Sequence, residues 1–250
     1  MSCLIEPDQV IRVSTPVAGI VAEVLVDRGD RVSQGQVIAR LDTALEEIEV
    51  EIAQVRAEDD TEIAALQARI EFLASQAERN EKLARSNAVS QNTAREARLE
   101  ADLALRELDQ ARLAKQLAAL ELAGAKARLD QKVVRSPVDG VVVERLLNPG
   151  EYRDGQAHIA TVAKMDVLRV EAFVPITYYR DLGIGQPVSI LPEPPLDAFR
   201  PATIAVIDQV FDAATATVGV RMALPNPDLS LPAGLRCELY FDAALSAESR

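Results

Sequence analysis

The spacing of apolar and polar positions divides the 250-residue chain into three segments with different expected structures. Residues 1–43 consist of short alternating runs broken by glycine, which is typical of β-strands and turns. Residues 44–130 contain no proline and only one glycine, and proline is strongly disfavoured inside helices. Residues 131–250 return to the alternating pattern and hold eleven of the thirteen prolines. The pattern therefore predicts a long helical segment inserted between β-structured parts.

The middle segment shows the three- and four-residue spacing of apolar side chains that an amphipathic helix requires. Its first half holds two such sets, Leu45, Ile48, Ile52 and Val55, then Ile63, Leu66, Ile70, Leu73 and Ala77. The sets join through Asp59 by successive four-residue steps, a stutter that slightly unwinds a coiled coil. The stretch from Thr93 to Asp130 is rich in alanine and leucine. We expect alanine to allow close approach of the two helices and leucine to fill the seam between them.

Start and turn signals divide this segment into two antiparallel helices. Thr43 and Thr93 each precede a glutamate by three residues, which is the spacing of a capping box, and each is predicted to begin a helix. The residues between the helices, at about 84–92, are rich in serine and asparagine and favour a turn. The result is a hairpin with arms of about 40 residues, roughly 60 Å long. A hairpin this thin must pack against a partner or against copies of itself.

The β-patterned segments on either side of the hairpin repeat each other at an offset of 121 residues. The matched positions are 14–21 with 135–142, Gly29 with Gly150 and, after the loss of one residue, Gly35-Gln36 with Gly155-Gln156. Each half reads as strand, turn, strand and cannot bury its apolar face alone. The two halves are therefore expected to pair into one sandwich, with the hairpin as an insertion whose ends lie together.

The amino-acid composition excludes several kinds of partner and binding site. A net charge of −12 argues against a nucleic-acid partner, because such a protein needs a basic face. Nine aromatic residues and no tryptophan leave few bulky side chains for a large core or for stacking platforms. His158 is the single histidine, which excludes a two-histidine metal site within one chain. Cys3 and Cys237 lie at opposite ends and can pair, although buried or incidental thiols are the simpler interpretation.

A family resemblance rests on the repeated motif and on its interruption. Residues 16–42, PVAGIVAEVLVDRGDRVSQGQVIARLD, resemble half of a lipoyl or biotinyl domain. Two such halves, split by a helical hairpin and followed by β-patterned sequence, resemble the periplasmic adaptor or membrane fusion protein family. That family includes HlyD-type secretion adaptors and the adaptors of efflux pumps of the resistance-nodulation-division (RND) class. The resemblance covers residues 10–242, which is nearly the whole chain.

The resemblance implies a mainly β fold with a long α-hairpin: a split lipoyl-like barrel-sandwich hybrid, an inserted antiparallel coiled coil and a small antiparallel β-barrel. The expected parts are the first half of the lipoyl-like domain at 10–43, the hairpin at 44–130, the second half at 131–166 and the barrel at 167–242. Short runs separated by Pro, Gly and Asn turns after residue 166 agree with a barrel. Few residues follow it, so the membrane-proximal domain of many adaptors is expected to be missing.

No residue pattern points to catalysis, to a metal or to a resident cofactor. A lipoyl or biotinyl carrier presents a modifiable lysine at the turn between its halves, whereas residues 41–44 here are Leu-Asp-Thr-Ala. The nearest lysine of the second half, Lys164, follows the final predicted strand. The chain has no GxSxG motif and no phosphate-binding loop. We therefore expect a non-enzymatic protein, and an intact mass with a modified lysine would instead identify a carrier.

Three residues near the predicted tip carry the functional hypothesis. Arg79, Leu83 and Ser90 have the spacing R-x3-L-x6-S, which resembles the motif that docks efflux adaptors onto an outer-membrane tunnel of the TolC type. A guanidinium can donate to carbonyl groups of a partner hairpin, a leucine can fill its groove, and a serine permits close approach. The alternative is that Arg79 is a solvated helix residue, Leu83 packs in the seam and Ser90 is only a helix cap.

The resemblance also implies partners and a location. It points to an adaptor between an inner-membrane transporter, of the RND or ABC type, and an outer-membrane TolC-like tunnel. Self-association, as a hexamer, and a location in the periplasm at the inner membrane are implied as well, although no signal peptide or anchor is visible in the sequence. The alternatives are an adaptor of an ABC exporter or type I secretion system, a biotin or lipoyl carrier, and a structural coiled-coil scaffold.

Overall fold

The computed structural model describes residues 1–155, 157–196 and 198–241. Gln156, the predicted repeat partner of Gln36, and residue 242, the predicted end of the barrel, lie outside the described residues. The strands are β1 (Ser2–Val13), β2 (Gly19–Val24), β3 (Arg31–Val32), β4 (Val37–Leu41), β5 (Val133–Arg135), β6 (Gly140–Arg145), β7 (Tyr152–Arg153), β8 (Ala160–Pro175), β9 (Pro187–Pro192), β10 (Arg200–Ile207), β11 (Thr217–Pro225) and β12 (Leu235–Phe241). The helices are α1 (Ala44–Glu58), α2 (Thr61–Arg85) and α3 (Gln91–Asp130), and a 3₁₀ turn spans Ile176–Asp181.

The chain forms two units, a β-structured unit made of residues 1–42 with those from 133 onward, and a helical unit made of residues 43–132. In the β-structured unit six strands form an antiparallel barrel in the order β1-β12-β9-β10-β11-β8, and the pairing of β1 with β8 closes it. Aliphatic side chains such as Ile5, Leu168 and Ile190 fill its interior, as a small barrel requires. No aromatic side chain is buried among the described residues. The predicted small antiparallel barrel is confirmed.

Strands β1 and β8 continue from the barrel into the sandwich. Their register passes from Cys3 opposite Ala172 to Val13 opposite Ala160, with a bulge after Pro7. Strands β6 and β3 extend this sheet, and a second sheet in the order β5-β4-β2-β7 faces it. The predicted division between residues 166 and 167 therefore falls inside β8. Residues 1–9, which the sequence assigned to neither part, begin the shared strand β1.

The two halves of the sequence repeat pair with each other through equivalent hydrogen bonds. The amide of Gly29 donates to the carbonyl of Val142 at 2.8 Å, and the amide of Gly150 donates to the carbonyl of Val21 at 2.8 Å. Gly29 matches Gly150 in the repeat, and Val21 matches Val142, so each bond is the repeat of the other. Both glycines have φ near +90°, where a side chain is disfavoured. The split lipoyl-like sandwich is confirmed.

Cys3 and Cys237 are joined by a disulfide. They lie directly opposite each other on β1 and β12, with Cα atoms 4.8 Å apart, and both are buried. The interpretation as incidental thiols is therefore wrong. The reason is that barrel closure brings the two ends of the chain together, which cysteine spacing alone does not reveal.

The first arm of the hairpin is two helices rather than one. Asp59 has an extended conformation, with ψ at 115°, and its carboxylate accepts a hydrogen bond of 2.9 Å from the amide of Thr61. Hydrogen bonds from Thr61 lower the pKa of Asp59. The acidic run from Glu58 to Asp60 is unfavourable at the C-terminus of α1 and favourable at the N-terminus of α2. The predicted continuous helix with a stutter at Asp59 is wrong at this point.

Helix starts also differ in detail from the capping boxes. Thr43 precedes α1 as predicted, but its hydroxyl donates to the carboxylate of Glu47 at 2.6 Å and makes no capping bond. Helix α3 begins at Gln91, two residues before the predicted Thr93. Ser90 is its cap, since the Ser90 hydroxyl accepts a hydrogen bond of 3.1 Å from the amide of Thr93.

Alanine, rather than leucine, forms the seam between the arms. The buried positions of the hairpin are Ala53, Ala77, Ala84, Ala94, Ala97, Ala101, Ala104, Leu108, Ala111 and Ala125. The set from Ile63 to Leu73 on α2 is half-buried, whereas the set from Leu45 to Val55 on α1 and most leucines of α3 are exposed. The expectation that leucine fills the seam is therefore wrong. Small side chains let the helices approach closely, which leaves the larger ones facing outward.

Candidate functional site

The tip of the hairpin is a turn that begins with a Schellman motif at the end of α2. The amide of Ala88 donates to the carbonyl of Leu83 at 2.9 Å, and the amide of Asn87 donates to the carbonyl of Ala84 at 3.1 Å. Asn87 has φ of +57°, a left-handed conformation that asparagine tolerates. The hydroxyl of Ser86 also donates to the carbonyl of Leu83 at 3.0 Å. These bonds hold the last turn of α2 in one geometry.

All three predicted docking residues are exposed at this end of the hairpin. The side chain of Leu83 is 43% exposed, while its neighbour Ala84, at 4%, occupies the seam. A guanidinium nitrogen of Arg79 donates to the hydroxyl of Ser75, one turn earlier, at 3.2 Å. Ser90 stands at the start of α3 as its cap. Leu83 is therefore partly exposed beside the seam rather than buried in it, and Ser90 has a structural role as the cap of α3.

A pair of opposite charges lies next to Arg79. On the adjacent positions of α2, the ammonium of Lys82 donates to the carboxylate of Glu78 at 2.6 Å. This hydrogen bond lowers the pKa of Glu78, so the carboxylate stays ionised beside Arg79. Exposed pairs of this kind contribute little to stability, and their main effect is on side-chain orientation. An exposed leucine beside an oriented guanidinium is a suitable surface for a helical partner.

A second surface of the hairpin lies on α3, on the face opposite the alanine seam. Five leucines there, which we call the leucine stripe, are between 53% and 63% exposed: Leu99, Leu103, Leu113, Leu117 and Leu120. Their spacing follows a heptad pattern, with Arg106 and Gln110 at the positions in between. Sequence periodicity detected these leucines but assigned them to the wrong face. The spacing of the alanines is the sequence signal that would have distinguished the face of α3 in the seam from the face that carries the leucines.

Metal binding and membrane crossing have no visible structural basis in the part of the chain that the structure describes. Among them, no group of three or more His, Cys, Asp or Glu side chains is placed to hold a metal ion. None of the described helices combines the length and the apolar character needed to cross a bilayer. The features that distinguish the hairpin are therefore its tip and the leucine stripe.

Comparison with known sequences identifies a family. Residues 9–164 match the family described as CzcB-like, barrel-sandwich hybrid domain. The cobalt-zinc-cadmium resistance protein CzcB of Cupriavidus metallidurans is 25% identical over 232 residues, which are 91% of this chain and 41% of CzcB. An uncharacterised protein of Haemophilus influenzae is 25% identical over 225 residues, 90% of this chain and 52% of that protein. The chain thus spans about half the length, or less, of these curated relatives.

Solved structures agree on the fold. MacA from Actinobacillus actinomycetemcomitans superposes with a TM-score of 0.81 at 20% identity, over 95% of this chain and 76% of MacA. ZneB from Cupriavidus metallidurans has a TM-score of 0.52 at 25% identity, over 96% of both chains. The family match covers more than half of the sequence and includes both halves of the interrupted repeat. The chain therefore belongs to the membrane fusion protein family and carries its CzcB-like barrel-sandwich hybrid domain.

Proposed function

We propose that this protein is the periplasmic adaptor subunit of a tripartite efflux pump, which bridges an inner-membrane transporter and an outer-membrane tunnel of the TolC type. The observation that carries this proposal is a family-typical sandwich interrupted by a hairpin whose tip exposes Arg79, Leu83 and Ser90. The adaptor performs no covalent chemistry. Energy for export comes from the transporter, and the adaptor supplies geometry and contacts.

The dimensions of the hairpin support a bridging role. Helix α3 has 40 residues, which correspond to roughly 60 Å at 1.5 Å per residue. Ion pairs between the arms stabilise the hairpin along this length, including Arg69 with Glu107 at 2.7 Å and Lys132 with Glu46 at 2.8 Å. A spacer of this kind carries a docking surface far from its base without needing a globular domain.

The leucine stripe supports assembly of several copies. Five exposed leucines on one helix face are costly in water and are typical of a surface that is covered in the assembled state. Neighbouring hairpins in a ring would cover it, and the family resemblance implies six copies. A closed ring would also seal the conduit between the transporter and the tunnel.

The disulfide between Cys3 and Cys237 supports the periplasm as the compartment. Structural disulfides form and persist in oxidising compartments, whereas cytosolic thiols are kept reduced. The pairing joins the first and last strands of the barrel, so it serves the fold directly.

The name of a curated relative suggests a cargo class. The Cupriavidus relative is named for cobalt, zinc and cadmium resistance. We therefore assign divalent cations as the cargo class, and the family resemblance implies an RND transporter as the inner-membrane partner. A deletion strain should become sensitive to zinc, cobalt or cadmium salts, and efflux should stop when the proton gradient is collapsed. Unchanged tolerance of these salts, with efflux that stops when ATP is depleted, would instead support an ABC exporter.

Tip docking is tested by alanine substitution of Arg79 and Leu83, with binding to the tunnel and efflux in cells as readouts. We expect binding to weaken at least about tenfold, because a buried leucine contact and a charge-assisted hydrogen bond are both lost. The matched control is Leu105→Ala with Arg112→Ala, since Leu105 is 45% exposed and both residues lie on α3, away from the tip. Tunnel binding and efflux that both survive the tip change would contradict the proposal.

Ser90 needs a pair of variants because it caps α3. Ser90→Ala removes the cap, at a cost of about 1 kcal/mol, but stays small. Ser90→Asn keeps a capping oxygen but adds bulk at the tip. If Ser90 acts by close approach, Ser90→Asn weakens tunnel binding while leaving the helix content unchanged. If it acts only as a cap, Ser90→Ala has the larger effect.

A further inference from the structure

The tip of the hairpin is positively charged although the rest of the chain is acidic. Residues 79–98 hold five basic and two acidic side chains, a net charge of +3. The hairpin as a whole, residues 44–130, has 18 acidic and 12 basic residues, and the chain has a net charge of −12. Outside these 20 residues the hairpin has 16 acidic and 7 basic side chains, a net charge of −9. This segregation is visible in the sequence, but spacing motifs do not draw attention to it.

Three of the five basic residues line one cleft. An open cleft of about 280 Å³ lies between the end of α2 and the start of α3. Its rim includes Arg85, Arg95 and Arg98, and its lining includes Ala84 and Ala94, which are both buried in the seam. The alanines leave room for an incoming side chain beside the guanidinium groups. None of these arginines belongs to the Arg79, Leu83 and Ser90 set.

The cleft has unbalanced charge. A guanidinium nitrogen of Arg98 lies 3.3 Å from the carboxylate of Glu81, which also lines the cleft. Arg85 and Arg95 form no hydrogen bond or ion pair with any of the described residues. Two guanidinium groups therefore face one cleft without an acidic partner. Guanidinium groups bind carboxylates through paired, charge-assisted hydrogen bonds.

We propose that this cleft, which we call the arginine cleft, receives an aspartate or glutamate side chain of the outer-membrane tunnel and binds it through Arg85 and Arg95. This inference rests on the proposed function, in which the tip docks onto the tunnel. The rest of the hairpin has a net negative charge, which disfavours an acidic partner, whereas the cleft at the tip presents guanidinium groups to it. Charge complementarity of this kind speeds association and fixes the orientation of docking.

A protein carboxylate fits the tip better than a lipid phosphate. A membrane-bound tip needs several exposed apolar side chains to enter the bilayer beside its basic residues. Among residues 79–98, Leu83 is the one large apolar residue in the exposed class, at 43%. The tip therefore has the charge for an anionic partner but lacks the apolar surface that membrane insertion requires.

The test compares the binding of four forms of the full chain to the purified tunnel from the same organism. Arg85→Gln with Arg95→Gln should weaken binding at least about tenfold, because two charge-assisted hydrogen bonds are lost. Arg85→Lys with Arg95→Lys keeps the charge and should retain more of the affinity than the glutamine pair does. Arg112→Gln with Lys126→Gln removes the same charge from α3 outside the tip and should bind like the wild type. Wild-type binding should also fall more steeply with added salt than that of the glutamine variant.

Two outcomes overturn the arginine cleft. One is wild-type tunnel binding by the Arg85→Gln, Arg95→Gln variant with helix content unchanged by circular dichroism. The other is unchanged tunnel binding by that variant together with loss of flotation on phosphatidylglycerol vesicles, which would make the occupant a lipid phosphate. If Arg79→Ala with Leu83→Ala still abolishes tunnel binding in these cases, the proposed function stands and only the cleft assignment fails. A wild-type chain that does not bind the tunnel at all overturns both.

Discussion

The β-structured unit and the hairpin bury their apolar residues in different ways. In the barrel and sandwich, branched and long aliphatic side chains such as Leu168 and Ile190 are fully buried. In the hairpin, nine of the ten buried residues are alanine, and most of the leucines of α3 face solvent. Burial of apolar area is the main source of folding free energy, so the two units draw on very different amounts of it.

The difference indicates what each unit is for. The β-structured unit has the interior of a stable domain, with a disulfide across its first and last strands. The hairpin has a thin alanine seam reinforced by exposed ion pairs, each of which contributes little to stability. Its large apolar side chains are available for contacts with other molecules. The hairpin therefore depends little on burial of large apolar side chains, as the assembly role proposed for it requires, whereas the β-structured unit depends on it strongly.

The largest loss of folding stability is expected from a substitution in the barrel core. Leu168→Ala should lower the free energy of unfolding by about 2–5 kcal/mol, because it removes buried methyl groups and leaves a cavity. Leu113→Ala, on the leucine stripe, should change it by less than about 0.5 kcal/mol in the monomer. Urea unfolding followed by circular dichroism measures both. Equal losses would contradict the division between a stability unit and an assembly unit.

Removal of the disulfide should cause the next largest loss of folding stability. Cys3→Ala with Cys237→Ala is expected to lower the free energy of unfolding by about 2–5 kcal/mol, since the loop that the bond closes includes almost the whole chain. The denaturation midpoint of the β-structured unit should therefore shift, and a reducing agent should shift the wild type in the same direction. A midpoint that is insensitive to both treatments would show that the disulfide does not stabilise the barrel.

A smaller loss of stability is expected from a substitution in the seam of the hairpin. Ala101→Leu places a larger side chain in a close helix contact and should cost about 1–3 kcal/mol, with loss of helix signal at a lower temperature. Ala119→Leu, at an exposed position of α3, is the control and should leave the melting temperature of the hairpin unchanged. If both variants melt like the wild type, alanine is not required for the approach of the helices.

Much of the fold follows from local sequence features. Absence of proline marks the helical segment, and the matched Gly29 and Gly150 mark the split sandwich, because each feature reports a backbone requirement directly. The break at Asp59 and the start of α3 at Gln91 differ from prediction because short polar side chains compete for backbone amides over one or two residues. Prediction of such boundaries needs the actual hydrogen bonds.

The parts that sequence did not predict depend on long-range contacts. Cys3 and Cys237 meet only because the barrel closes. The outward direction of the leucine stripe depends on the neighbouring helices, since alanine and leucine share the same heptad period and either can form a seam. For the tip, spacing predicted the exposed positions Arg79 and Leu83, but not that the Schellman turn would fix them or that Arg85 and Arg95 would line one cleft.

Site-specific photo-crosslinking in cells tests the central claim most directly, with a photoreactive amino acid placed at position 83 on the tip or at position 113 on the leucine stripe. The account predicts that position 83 crosslinks to the outer-membrane tunnel and that position 113 crosslinks to a second copy of this chain. Adducts of position 83 only with other copies, or of position 113 only with the tunnel, would contradict the assignment of docking to the tip and of assembly to the stripe.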